Sequence, residues 1–143
     1  MVYWACPQRK VLERQVMTRA LLVALALAAA VPAANAGDAS GLWIRDDGSA
    51  KLRFVPCGGG GTLCGFLAWK KESGGPAKVG QKLFFDMKPN GENAWAGSAF
   101  NPNDGKRYTA RLTLSGDRLA TAGCVLGGLI CKSYDWTRSR EGR

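Results

Sequence analysis

The stretch Cys124-Val-Leu-Gly-Gly-Leu-Ile-Cys131 decides how this chain is read. Gly127-Gly128 is a two-residue hairpin connection, because type I′ and II′ turns need positive φ and glycine supplies it without a β-carbon clash. A turn centred there pairs Leu126 with Leu129, Val125 with Ile130 and Cys124 with Cys131. Directly opposed residues lie about 4.5–5.5 Å apart at Cα, a separation that a disulfide spans. The same spacing recurs in Cys57-Gly-Gly-Gly-Gly-Thr-Leu-Cys64, where a turn at Gly60-Gly61 sets Cys57 opposite Cys64. Two stapled hairpins point to antiparallel sheet and to an oxidising compartment.

Outward from the hairpins the period of two persists. In Lys106 to Ser115, Tyr108, Ala110, Leu112 and Leu114 share one face, and Arg107, Thr109, Arg111 and Thr113 share the other. That alternation is an antiparallel strand with one wet side. Shorter strands are expected over Gly41–Arg45, Ala50–Val55, Cys64–Lys70, Lys82–Met87, Asn93–Phe100, Arg118–Val125 and Leu129–Arg138. Turn residues punctuate them at Asp47-Gly48, Asn90-Gly91, Asp104-Gly105 and Gly116-Asp117. Lys71–Gln81 has no pattern and reads as a loop. No helical period of useful length runs between the strands. The expected class is all-β: a small antiparallel up-and-down barrel of about eight strands, with a two-sheet β-sandwich as the alternative. Closure into a barrel removes free edges, and eight strands enclose either packed side chains or one small ligand.

The first third of the chain has a different character. Met17-Thr-Arg19 precedes an apolar run from Ala20 to Val31, then Pro32 and Ala34-Asn35-Ala36. A basic start, a short apolar core and an A-x-A site are the order of a secretory signal peptide. The run is shorter than the roughly 20 residues a membrane span needs. Residues 1–36 are therefore expected to be a leader, with 1–16 an extension ahead of a start at Met17. Residues 37–143 are expected to form one barrel domain, periplasmic or secreted. Beyond the leader sixteen Lys and Arg face ten Asp and Glu, and the cysteines fall from five to four. An even cysteine count in an exported domain favours disulfides over thiols or a metal site.

Chemistry is sparse. The chain of 143 residues has no histidine, which removes the commonest general base and most zinc sites. No nucleophile with a neighbouring base, no phosphate-cradling loop and no metal-ligand spacing stands out, so catalytic, metal and cofactor residues are expected to be none. Asp86 and Asp135 lie within strands rather than turns, and a carboxylate hydrolase built on that pair is the minor enzymatic reading. The positive charge is spread along the chain without a dense run or a recognition helix, so nucleic acid is not an expected partner.

With Gly41-Leu-Trp43, Cys57 to Cys64-Gly65, Trp95-Ala-Gly97, Asn101-Pro102 to Asp104-Gly105-Lys106-Arg-Tyr108 and Trp136-Thr137-Arg138 in hand, the chain resembles the domain-of-unknown-function family 2147. These are exported bacterial proteins described as lipocalin-like, and the likeness spans Gly41 to Arg138. It departs at a shorter loop near Gly74-Gly-Pro76, and at Asn101, where an aspartate is common. The resemblance implies a periplasmic barrel and no established activity. Gly-x-Trp on the first strand with Trp-x-Arg on the last resembles the lipocalin closure, which implies that Arg138 stacks over Trp43 beside Trp136.

Two functions follow as expectations. The first is a non-enzymatic binding module for a small apolar or amphipathic ligand such as a fatty acyl chain, with Trp69, Phe84, Trp95 and Tyr108 as the lining. The second is a cavity-less envelope protein that presents a basic surface, Arg107 and Arg111 included, to anionic lipid or polymer.

Overall fold

A computed structural model describes residues 37–141, so the leader read over 1–36 lies outside the described residues. Among the described residues eight strands follow one another: β1 (Gly41–Arg45), β2 (Ala50–Pro56), β3 (Leu63–Lys70), β4 (Lys82–Pro89), β5 (Ala94–Asn101), β6 (Lys106–Ser115), β7 (Arg118–Val125) and β8 (Ile130–Arg138). Each is antiparallel to the next, and β8 returns to β1 through Trp43↔Arg138, Ile44↔Thr137 and Arg45↔Trp136. The sheet is a closed up-and-down barrel, which settles barrel against sandwich. Closure leaves no strand edge to template aggregation.

Alternation decides what fills the barrel. Trp43, Leu52, Phe54, Leu67, Phe84, Met87, Trp95, Ala110, Leu112, Leu114, Leu119 and Trp136 are buried in one cluster. Burying a large apolar side chain stabilises by roughly 1.5–3 kcal/mol, so this cluster is the main term holding the barrel together. Two bulges redirect side chains in ways the period of two does not foretell. Lys51 pairs with Trp69 but Leu52 pairs with Leu67, so Ala68 is the extra residue. Leu67 therefore points inward and Trp69 points out beside Lys51. In β4 the ladder runs from Phe85↔Ser98 to Lys88↔Ala96, with Asp86 in the left-handed region at φ 48°. This turns Met87 into the core, where it is fully buried. The bulge needs a glycine across from it: a β-carbon at Gly97 would lie 2.5 Å from the Phe85 carbonyl oxygen.

The two cysteine hairpins differ in register. Cys124 does pair with Cys131 and Val125 with Ile130, around a left-handed turn at Gly127-Gly128, with a Cα–Cα distance of 4.1 Å. The other hairpin is shifted. Its turn does sit at Gly60-Gly61, because Thr62 N–H donates to the Gly59 carbonyl. The ladder beyond, however, pairs Pro56 with Leu63 and Val55 with Cys64. Gly58 and Gly59 are extra residues on one arm, so Cys57 lies diagonal to Cys64 rather than opposite it. The disulfide still closes, at a Cα–Cα distance of 5.7 Å.

Candidate functional site

Strand direction gives the barrel two unlike ends. One carries the segment Gly37–Ser40 that leads into β1, the loop from Cys57 to Thr62, and the β4–β5 and β6–β7 turns. The other carries the β1–β2, β3–β4, β5–β6 and β7–β8 connections.

The first end is shut. Ala39 is fully buried and its carbonyl accepts the Trp43 indole N–H at 2.9 Å. The Arg138 guanidinium lies 4.3 Å from the Trp43 ring centroid. It donates to the Ser40 and Asp38 carbonyls at 2.9 and 2.7 Å, and Nε faces Asp117 at 3.5 Å. One arginine thus binds the last strand, the segment leading into β1 and the β6–β7 turn over one tryptophan. A polar hollow of about 540 Å³ lies outside this seal, between Arg53, Asp117 and Arg140. The guanidinium it contains is already committed to those carbonyls and to Trp43, so the hollow offers little to a ligand. The Asp38 carboxyl beside it is held below the usual carboxylate range, chiefly by hydrogen bonds from the Ser40 hydroxyl and backbone N–H.

The second end holds a cavity of about 600 Å³. Its floor is Leu52, Leu67, Phe84 and Trp136, and its wall includes Leu83, Ala99, Tyr108, Thr121 and Tyr134. Space remains because the inward positions at this level are small: Ala99 on β5 pairs with Tyr108, and Gly123 on β7, paired with Ala110, lies diagonal to it, so that a β-carbon there would stand 3.6 Å from the Tyr108 Cβ. The Trp136 indole N–H donates to the Thr121 hydroxyl at 3.0 Å, so the floor has no unpaired donor there.

The rim is polar and mostly cationic: Arg45, Lys70 and Lys132, with Asn101, Asn103 and Asp104. Arg45 stacks 3.8 Å from the centroid of the Tyr134 ring, and the Lys132 ammonium lies 5.4 Å from the same ring. The Lys70 ammonium donates to the Gly75 carbonyl at 2.7 Å, which ties the β3–β4 loop to the mouth. The Asp104 carboxylate accepts from the Tyr108 hydroxyl. That bond holds the Asp104 carboxyl below its usual range and pushes the Tyr108 phenol up. Asn101 caps its own turn by accepting the Asn103 N–H at 3.0 Å.

Of the four residues expected to line a cavity, Phe84 and Tyr108 border it. Trp69 is excluded by the bulge at Ala68 and stands 43% exposed on the outer wall. Trp95 points inward but at the shut end, with its indole N–H aimed at the Gly61 carbonyl at 3.3 Å. Trp43 and Arg138 form the seal, while Trp136 is floor as well as core. Tyr134 and Lys132 were not among the expected lining residues. Their signal was in the alternation, since both share a face of β8 with Trp136. Arg107 sits outside, 4.0 Å from the Phe85 ring, and Arg111 is exposed on the same strand.

Asp86 and Asp135 are both exposed, on β4 and β8, four strands apart around the ring. They do not form one site. Among the described residues no group of three His, Cys, Asp or Glu is placed to hold a metal, and no helix is long and apolar enough to cross a membrane.

A family model described as an uncharacterised protein conserved in bacteria, DUF2147, matches residues 41–138, from the first residue of β1 to the last of β8. Neither the curated proteins nor the solved structures yielded a match.

Proposed function

Because the chain belongs to the DUF2147 family of uncharacterised bacterial proteins, its task has to be read from the barrel, and we propose that it is an exported, non-enzymatic binding protein for one small amphipathic anion such as a fatty acid. The cavity carries this reading. Its volume of about 600 Å³ falls within the roughly 300–1,000 Å³ of small-molecule pockets. Its polarity is graded along the barrel axis. An acyl chain would lie on Leu52, Leu67, Phe84 and Trp136, and a carboxylate would meet Arg45, Lys70 and Lys132 at the rim. Charge at the rim orients the ligand, and apolar burial supplies most of the affinity.

Export is supported by the two disulfides and by the leader-like start of the chain. The separation of Asp86 from Asp135 supports a role without catalysis. The filled-barrel alternative, acting through Arg107 and Arg111, is weakened by the cavity.

The test is titration with a dansyl-labelled fatty acid, read by energy transfer from tryptophan. Saturable one-to-one binding displaced by unlabelled fatty acid is expected. Ala99→Phe, which places a ring between Phe84 and Tyr108, should weaken binding at least about tenfold without lowering Tm. No saturable transfer, or full binding by the folded Ala99→Phe variant, would overturn the proposal.

A further inference from the structure

The β7–β8 turn is dressed wrongly for a solvent-exposed hairpin. Val125, Leu126, Leu129 and Ile130 are 39, 68, 87 and 59% exposed, and among the described residues only Trp69 and Val79 are other exposed large hydrophobics. Four aliphatic side chains thus crowd one turn. They have no core beneath them to reach, because the barrel is hollow at this level. The Cys124–Cys131 disulfide and the Leu129 N–H to Leu126 carbonyl bond, at 3.3 Å, fix the turn so that it cannot fold the leucines away.

The tip stands at the cavity mouth, since Val125 and Ile130 are also part of the cavity lining. The charged groups around it are mostly cations, with Asp104 on the same rim and Asp47 3.4 Å from the Arg45 Nε. Lys132 follows it on β8, Arg45 and Lys70 lie on the same rim, and the Arg111 guanidinium reaches the turn, 2.9 Å from where a β-carbon on Gly128 would be. A rigid apolar wedge among predominantly positive charge matches one environment well: the interface of an anionic bilayer, with acyl chains below and negative headgroups around. The same cations count against a second copy of the chain as the partner, because two such tips would repel.

We infer that the Val125–Ile130 tip inserts into the surface of an anionic membrane and sets the cavity mouth against it. The ligand of the proposed binding function then passes between bilayer and barrel without crossing water. This deepens that function, but its test stands apart. Insertion is read with vesicles, and ligand binding is read in their absence.

The experiment is co-sedimentation of the disulfide-intact protein with phosphatidylcholine vesicles containing about a third phosphatidylglycerol, beside pure phosphatidylcholine. The comparison variant is Leu126→Ser with Leu129→Ser. Both side chains are mostly in solvent, so the fold and the dansyl-fatty-acid affinity in free solution should be unchanged. The expected result is partitioning of the wild type onto the anionic vesicles, weakened on the order of tenfold or more in the double variant. Loss of partitioning in high salt should accompany it. Equal partitioning of variant and wild type would overturn the proposal and move docking to the basic outer wall. So would no vesicle binding by the wild type, or a leucine-dependent dimer in light scattering in its place. None of these results would touch the fatty-acid titration.

Discussion

Two hairpins with the same Cys-x6-Cys spacing stand at opposite ends of the barrel, and they have opposite characters. At the shut end Thr62, Leu63 and Cys64 are 7, 4 and 1% exposed, and the Gly61 carbonyl accepts from Trp95. At the open end Val125, Leu126, Leu129 and Ile130 stand in solvent. The contrast comes from what lies beneath. Trp43, Met87, Trp95 and Leu114 fill the shut end, so its hairpin has a core to cover. Ala99 and Gly123 leave the other end hollow, so its hairpin has nothing to pack on. A disulfide spacing therefore says that two strands are tied, not what the tie is for.

The largest test of this contrast is at the seal. Trp43→Ala removes a fully buried indole and leaves the Arg138 guanidinium without its ring. Chemical unfolding should show a loss of about 3–5 kcal/mol. A loss under about 1 kcal/mol would mean that the shut end is not where stability resides.

Next come the staples. Each closes a loop of sequence separation 7, so the chain-entropy model assigns each roughly 2–3 kcal/mol. Cys57→Ala with Cys64→Ala and Cys124→Ala with Cys131→Ala should lose similar stability. Only the second pair should also weaken vesicle partitioning, because only there does the disulfide hold the apolar tip. If the first pair weakens it equally, the division of labour between the ends is wrong.

The smallest effect is electrostatic. The Asp104 carboxyl is held low in the fold by the Tyr108 hydroxyl. Its stabilisation is present above the ordinary carboxylate pKa and is lost as pH falls through the lowered folded value. Solvent screens this exposed pair, so the slope in an acid titration should be slight. Asp104→Asn should flatten it. A titration of the Asp104 carboxyl at its ordinary pKa, followed by NMR, would show that the bond to Tyr108 is not formed.

How much of this was legible beforehand depends on the residue. The bounds of β6 and β7 follow from alternation and flanking turns, and the Cys124–Cys131 pairing follows from Gly127-Gly128. Strict alternation puts Trp69 on the Leu67 face, and one bulged residue reverses that. Trp95 lies on the expected face but at the wrong depth. Period two assigns a side chain to the inside or outside of a barrel, whereas its height along the axis is set by strand stagger. The first hairpin departs from the expected register for a related reason, since four glycines in a row permit several loops, and contacts such as the Trp95 indole N–H to the Gly61 carbonyl lie outside the hairpin's own sequence.

Local chemistry in the sequence thus determined the strands, the turns, the tied cysteine pairs and the absence of any histidine-based site. Barrel closure and the Arg138–Trp43 seal were expected from the strand count and the family resemblance. The choice of barrel over sandwich, the strand stagger and the cavity at the open end were decided by tertiary structure. They depend on which side chains meet at the same height in a closed ring, a property that no single strand carries.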